Sequence, residues 1–162
     1  MTQPETIRKK HISGFTLIEL MVVIGIISVL AGTSVPAIIN WLPTYRLKSA
    51  TRDLYSNLQL AKLQAIRGNT DCSITYSSGP DEYTVSLLNK KVRLQDYRSG
   101  VKFGWPGGGQ TYTSPITFNP RGFCNTGYAY LSNDKSTAYY RVGPSAVTGV
   151  IKLQRWDGSG WQ

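Results

Sequence analysis

The sequence predicts an α+β protein. A long N-terminal helix, membrane-spanning in its lower half and amphipathic in its upper half, packs on an antiparallel, β-rich C-terminal globular region. Three observations predict it. An apolar run extends from Phe15 to Ile39 with Glu19 as its single charged side chain. Apolar residues then recur at steps of three and four from Leu47 to Ala65. Beyond Asp71, short alternating segments are separated by Gly, Pro, Asn and Asp.

The apolar run is long enough to cross a bilayer as a helix. After Glu19 the next formal charge is Arg46. A carboxylate in such a stretch costs about 2.5–3.5 kcal/mol on insertion scales, so it calls for a partner or a task. The segment before the run is polar and carries Arg8, Lys9 and Lys10 against Glu5. An ordinary secretory signal places its small cleavage residue after the apolar core. Here the small residue, Gly14, precedes the core. A cut between Gly14 and Phe15 removes a basic leader and keeps the helix. The new amine of Phe15 then lies four residues from Glu19. The leader stays cytoplasmic and the remainder is translocated.

Lys9-Lys10, followed by Gly14-Phe15-Thr16-Leu17-Ile18-Glu19-Leu20-Met21-Val22-Val23, resembles the class III signal of type IV pilins and type II secretion pseudopilins. The resemblance implies cleavage after Gly14 by a prepilin peptidase and N-methylation of Phe15. It implies single-pass storage in the bacterial inner membrane with the head in the periplasm. Polymerisation with other pilins or pseudopilins follows, on an inner-membrane assembly platform, into a helical periplasmic or extracellular filament. In the family, the glutamate at the Glu19 position meets the N-terminal amine of an adjacent subunit.

The expected division is a leader over 1–14, an apolar transmembrane and filament-core helix over 15–43, its amphipathic half over 44–68, and a β-rich head over 69–162. Pro36 and Pro43 each remove a helix hydrogen bond. Gly25, Gly32 and Thr33-Ser34 weaken the helix further, so one long helix is expected with a bend near Pro36, and a second bend near Pro43 is the further option. Beyond Pro43, the residues Leu47, Ala50, Leu54, Leu58, Ala61 and Ala65 form one helical face. Leu60, Leu63 and Ile66 are expected to widen that face for packing on a sheet. Gly68-Asn69 supplies the stop.

The strand expectations follow in order. Cys72–Tyr76 precedes a turn at Ser78-Gly79-Pro80-Asp81. Tyr83, Val85 and Leu87 alternate with Thr84 and Ser86 as a half-buried strand does, and Asn89-Lys90 reverses the chain. Val92–Tyr97, Val101–Trp105, Ile116–Phe118, Tyr128–Leu131, Ala138–Val142 and Val150–Trp156 are the remaining candidates. Ser132–Ser136 reads as a hairpin turn, and Asp157–Gln162 as a loose tail. Ile116-Thr117-Phe118-Asn119-Pro120-Arg121-Gly122 and the late Gly149-Val150-Ile151-Lys152-Leu153 resemble the FimT/GspH subgroup of minor pilins and pseudopilins.

Composition excludes most catalytic classes. The single histidine, His11, lies in the leader, so the mature chain lacks an imidazole for acid–base work or for a metal site. The sequence carries no C-x-x-C, no H-E-x-x-H, no phosphate-binding loop and no serine nucleophile elbow. No enzyme activity, metal or cofactor is therefore expected. The two cysteines, Cys72 and Cys124, lie beyond the apolar run, where a disulfide is permitted. They form a disulfide candidate, and the alternative is two separate buried thiols.

The net charge of +9 favours polyanions. Some FimT-like minor pilins bind DNA during transformation through basic residues near the last strand. Lys152 and Arg155 stand there, and Lys90, Lys91 and Arg93 form a second basic group. These five are the candidate DNA contacts. The pattern departs at Val150, where the family's DNA binders carry arginine. The competing reading makes these residues solvated strand edges that block aggregation. The expected function is a structural subunit, a minor pilin or H-type pseudopilin. A DNA-binding minor pilin in DNA uptake and a major pilin are the alternatives.

Overall fold

The computed structural model describes residues 14–98 and 100–162, apart from the side chains of residues 35–37. The basic leader with Lys9, Lys10 and His11 therefore lies outside the described residues. The chain divides into two units, Met1–Ile38 and Ile39–Gln162. One helix, α1 (Leu17–Gly68), is assigned without interruption through Pro36 and Pro43.

In the first unit, α1 opens on a local cap. The Glu19 backbone N–H donates to Thr16 Oγ1 at 3.2 Å. Thr16-Leu17-Ile18-Glu19 thus has the sequence and the first bond of a capping box. Leu17–Ser34 has a mean hydropathy of 2.2, and none of it is buried. Its hydroxyls bond back to the helix, Ser28 Oγ to Ile24 O at 2.8 Å and Thr33 Oγ1 to Leu30 O at 3.1 Å. A helix facing lipid must satisfy its polar groups internally in this way.

In the second unit, Leu47, Ala50, Leu54, Leu58, Ala61 and Ala65 are fully buried, as their spacing predicts. Three alanines among them allow the helix backbone to lie close to the strands. Leu63 and Ile66 do not join this face and are 40% and 46% exposed. At about 100° per residue, Leu63 points away from Leu54 on the opposite side of the helix. Thr51 and Asn57 fill the flanks instead. The helix ends where Asn69 takes a φ of 46° and Thr70 N–H donates to Ala65 O at 3.2 Å. This left-handed residue satisfies a terminal carbonyl.

The strands form two antiparallel four-stranded sheets. In the first, β1 (Cys72–Ser77), β2 (Glu82–Val85), β3 (Lys90–Arg93) and β5 (Ile116–Phe118) run in the order β3-β2-β1-β5. In the second, β4 (Lys102–Phe103), β6 (Ala129–Ser132), β7 (Tyr139–Pro144) and β8 (Ile151–Arg155) run in the order β4-β6-β7-β8. The expected hairpin is present, with Ser132 paired to Tyr139. Asp81 ties the sheets at a turn: its carbonyl accepts from Leu94 N–H and its carboxylate from Phe103 N–H. One core joins the α1 stripe to Ile74, Tyr83, Val85, Ile116, Phe118, Leu131 and Val142.

Three expectations change. Leu87 leaves the strand for a 3-10 turn, Ser86–Leu88, and is 44% exposed. The segment expected as a strand at Val92–Tyr97 is split, with β3 ending at Arg93 and a second 3-10 turn at Leu94–Tyr97. Leu94 is fully buried from that turn, so a single apolar residue fixed its inward direction without strand pairing. The tail is ordered. Trp161 bridges to Trp156 and stacks on Trp105, ring centroids 5.4 Å apart. Asp157 locks the turn by accepting from Ser159 and Gly160 N–H, which holds its carboxyl at about 2.

Candidate functional site

The first candidate site is the start of α1. Gly14, Phe15 and Glu19 are all exposed, Phe15 by 78%. The Glu19 backbone is engaged by Thr16, while its carboxylate has no hydrogen bond or ion pair among the described residues. An acidic group in a first helical turn is favoured by the helix dipole. That interaction does not neutralise it in an apolar surround. A bond between Gly14 and Phe15 lies ahead of the cap, so cutting it leaves the first turn closed. Sequence reading missed this cap, although the Thr-x-x-Glu pattern ahead of an apolar run signals it.

The disulfide candidate is corrected by the structure: Cys72 and Cys124 are free, buried thiols. The reason lies in the register. Cys72 pairs with Phe118 on one side, and Cys124 bridges to Phe118 on the other. Phe118 therefore separates them. Two strand spacings amount to roughly 9.6 Å. A disulfide needs Cα atoms closer than about 7 Å. Ser86 Oγ donates weakly to Cys72 Sγ at 3.9 Å. Burial pushes the Cys124 thiol up, against the opposing pull of the Lys62 charge.

The five basic candidates fall on two different sheets. Lys90, Lys91 and Arg93 stand on β3, an edge strand. All three are engaged. Lys90 Nζ donates to Asn57 Oδ1 at 2.9 Å, Lys91 pairs with Glu82, and Arg93 Nε lies 3.8 Å from the other Glu82 oxygen. Lys152 and Arg155 are exposed on β8, at the edge of the other sheet. Their side chains make no hydrogen bond or ion pair among the described residues. The sequence missed Asn57, which is 5% exposed and also donates to the Tyr83 hydroxyl at 2.7 Å.

The two loop motifs near the C-terminus have a mechanical role. The Asn119 side chain accepts from the N–H groups of Arg121 and Phe123, both at 3.0 Å. Gly122 has a φ of +79°, and a Cβ there would crowd Lys62 and Ile66. Lys62 Nζ donates to Gly149 O at 3.0 Å. Asn119–Gly122 and Gly149 thus clip two loops to one turn of α1. No group of three or more metal-ligating side chains occurs among the described residues.

The prokaryotic N-terminal methylation motif matches residues 9–35. The model of the type II transport protein GspH family matches residues 50–148. No curated protein matches the sequence significantly. Among solved structures, the minor pseudopilin EpsH from the type 2 secretion system of Vibrio cholerae is similar in fold, with a TM-score of 0.51 at 14% identity. The match covers 67% of this chain and 95% of that one.

Proposed function

The chain belongs to the family of the type II transport protein GspH, and on that premise we propose that it is processed after Gly14 and assembled through its apolar helix. It is a pilin-like structural subunit of the minor pseudopilin kind. In this reading, a prepilin peptidase removes the leader and Phe15 is methylated at its new amine. The protein waits in the inner membrane with its head in the periplasm. It then joins other pilins or pseudopilins at the assembly platform, in a pseudopilus or a type IV pilus.

One observation carries the reading. Glu19 holds a carboxylate without a partner among the described residues, in a stretch of α1, Leu17–Ser34, that has a mean hydropathy of 2.2 and none of which is buried. The amine of a neighbouring Phe15 supplies the missing charge and fixes axial register. The exposed apolar surface gains packing partners as the helix passes from lipid to protein. The test is Glu19→Val. Export and head stability should be unchanged, while incorporation into sheared filaments falls by about tenfold or more on immunoblot. Normal incorporation removes the register role, and a mature N-terminus other than Phe15 by mass spectrometry removes the processing.

The DNA-binding alternative rests on Lys152 and Arg155, since Lys90, Lys91 and Arg93 have partners within the head. Its test is a gel shift at low salt that weakens steeply as salt rises.

A further inference from the structure

The Ile39–Gln162 unit contains a groove of about 330 Å³ lined by Trp41, Tyr45, Lys48, Arg52, Tyr140 and Arg155. Three cations converge on it, and no carboxylate lines it. Lys48 and Arg52 are one turn apart on α1, where like charges repel. Arg155 arrives from β8. None of the three side chains makes a hydrogen bond or ion pair among the described residues. On β3 the opposite holds, because Glu82 and Asn57 engage every cation. The groove is therefore a place where positive charge is gathered and left unneutralised.

We propose that this groove takes the phosphodiester headgroup of an anionic phospholipid. The charge calls for an anion, and Arg and Lys together suit a phosphate oxygen set. The walls narrow the choice. Trp41 and Tyr45 are 60% and 53% exposed, with ring centroids 4.8 Å apart. Exposed Trp and Tyr are characteristic of the headgroup level of a bilayer. Trp41 follows Ser34, the last residue of the membrane-length window, by seven positions. Seven residues span at most about 25 Å even when fully extended, so the chain itself tethers the groove close to the headgroup region. A groove at this chain distance meets lipid phosphates before it meets any other polyanion. The lipid contact adds a hold on the head while the subunit waits in the membrane. It needs membrane anchoring only and stands independently of the Glu19 register.

The test uses the full chain in neutral detergent micelles, labelled with 5-fluorotryptophan, the Trp41 resonance being assigned by Trp41→Phe. The probes are dihexanoyl phosphatidylglycerol, dihexanoyl phosphatidylcholine and inorganic phosphate. Phosphatidylglycerol should shift the Trp41 resonance saturably, and phosphatidylcholine should not. Lys48→Gln, Arg52→Gln and Arg155→Gln should each weaken binding about fivefold, and the triple variant should abolish it. Lys102→Gln, on a strand outside the groove, should leave binding unchanged, and thermal unfolding should match the parent in all five variants. Equal binding of phosphatidylcholine, or of inorganic phosphate at the same concentration, overturns the proposal. So does undiminished binding in the triple variant, or tighter binding of a single-stranded oligonucleotide or an acidic peptide.

Discussion

Replacing Asn57 with alanine should cost the head about 1.5–4 kcal/mol. Asn57 is 5% exposed and Tyr83 is 1% exposed. Its Nδ2 donates to the Tyr83 hydroxyl at 2.7 Å, and its Oδ1 accepts from Lys90 Nζ at 2.9 Å. Alanine leaves a buried phenol without that bond, worth roughly 1–3 kcal/mol. The Lys90 ammonium is exposed and rehydrates, so its loss adds only about 0.5–1 kcal/mol. For a domain of this size, a change of that order lowers Tm by roughly 10 °C. The assay is thermal unfolding of the full chain in micelles, followed by near-UV circular dichroism. Tyr83→Phe should recover part of the loss in the alanine background, giving a coupling of about 1 kcal/mol or more. An Asn57→Ala variant within about 0.5 kcal/mol of the parent, or strictly additive with Tyr83→Phe, would falsify the reasoning.

Tyr76 is 7% exposed, and its hydroxyl has no hydrogen-bond partner among the described residues. Tyr76→Phe should therefore raise stability by about 1 kcal/mol, read in the same unfolding assay, and a destabilised variant would contradict the unpaired assignment. Gly149 has a φ of +71°, and a Cβ there would collide with Gly122 O. Gly149→Ala should loosen the clip to Lys62 and cost about 1–3 kcal/mol, with faster amide exchange around Gly122 as the signature. Alkaline pH should destabilise the head. Burial raises Tyr83 to about 12, and burial likewise raises Tyr76 and Tyr97. The unfolded chain then loses these protons first, so stability is complete below about pH 10 and falls above it. A pH-independent Tm between 9 and about 11 would refute the shifts.

Helix periodicity was legible in the sequence because it depends on local spacing. The six-residue stripe from Leu47 to Ala65 maps onto fully buried positions. Leu63 and Ile66 misled because hydrophobicity alone does not give angle, and Leu63 faces away. The same limit governs the cysteines. Their types suggested a bond, but Phe118 stands between them, bridged locally to Cys124 and paired with Cys72 from far along the chain. The Gly14-to-Glu19 segment was readable because its elements are adjacent in sequence. The Lys48, Arg52 and Arg155 groove was not, since it needs β8 laid beside α1. Arg155 was read as one of a pair with Lys152, and its neighbours across the fold were invisible.

Three of the four margin strands carry cations, Lys90, Lys91 and Arg93 on β3, Lys102 on β4, and Lys152 and Arg155 on β8, while β5 is met at Phe118 by the bridge to Cys124. A subunit meant for stacking must be crowded against its own kind without fusing to it. Backbone ladders between heads would be cooperative and hard to undo. Positive side chains along these margins make such fusion costly. In the assembly proposed above, cohesion then falls to the helices rather than to backbone ladders between heads.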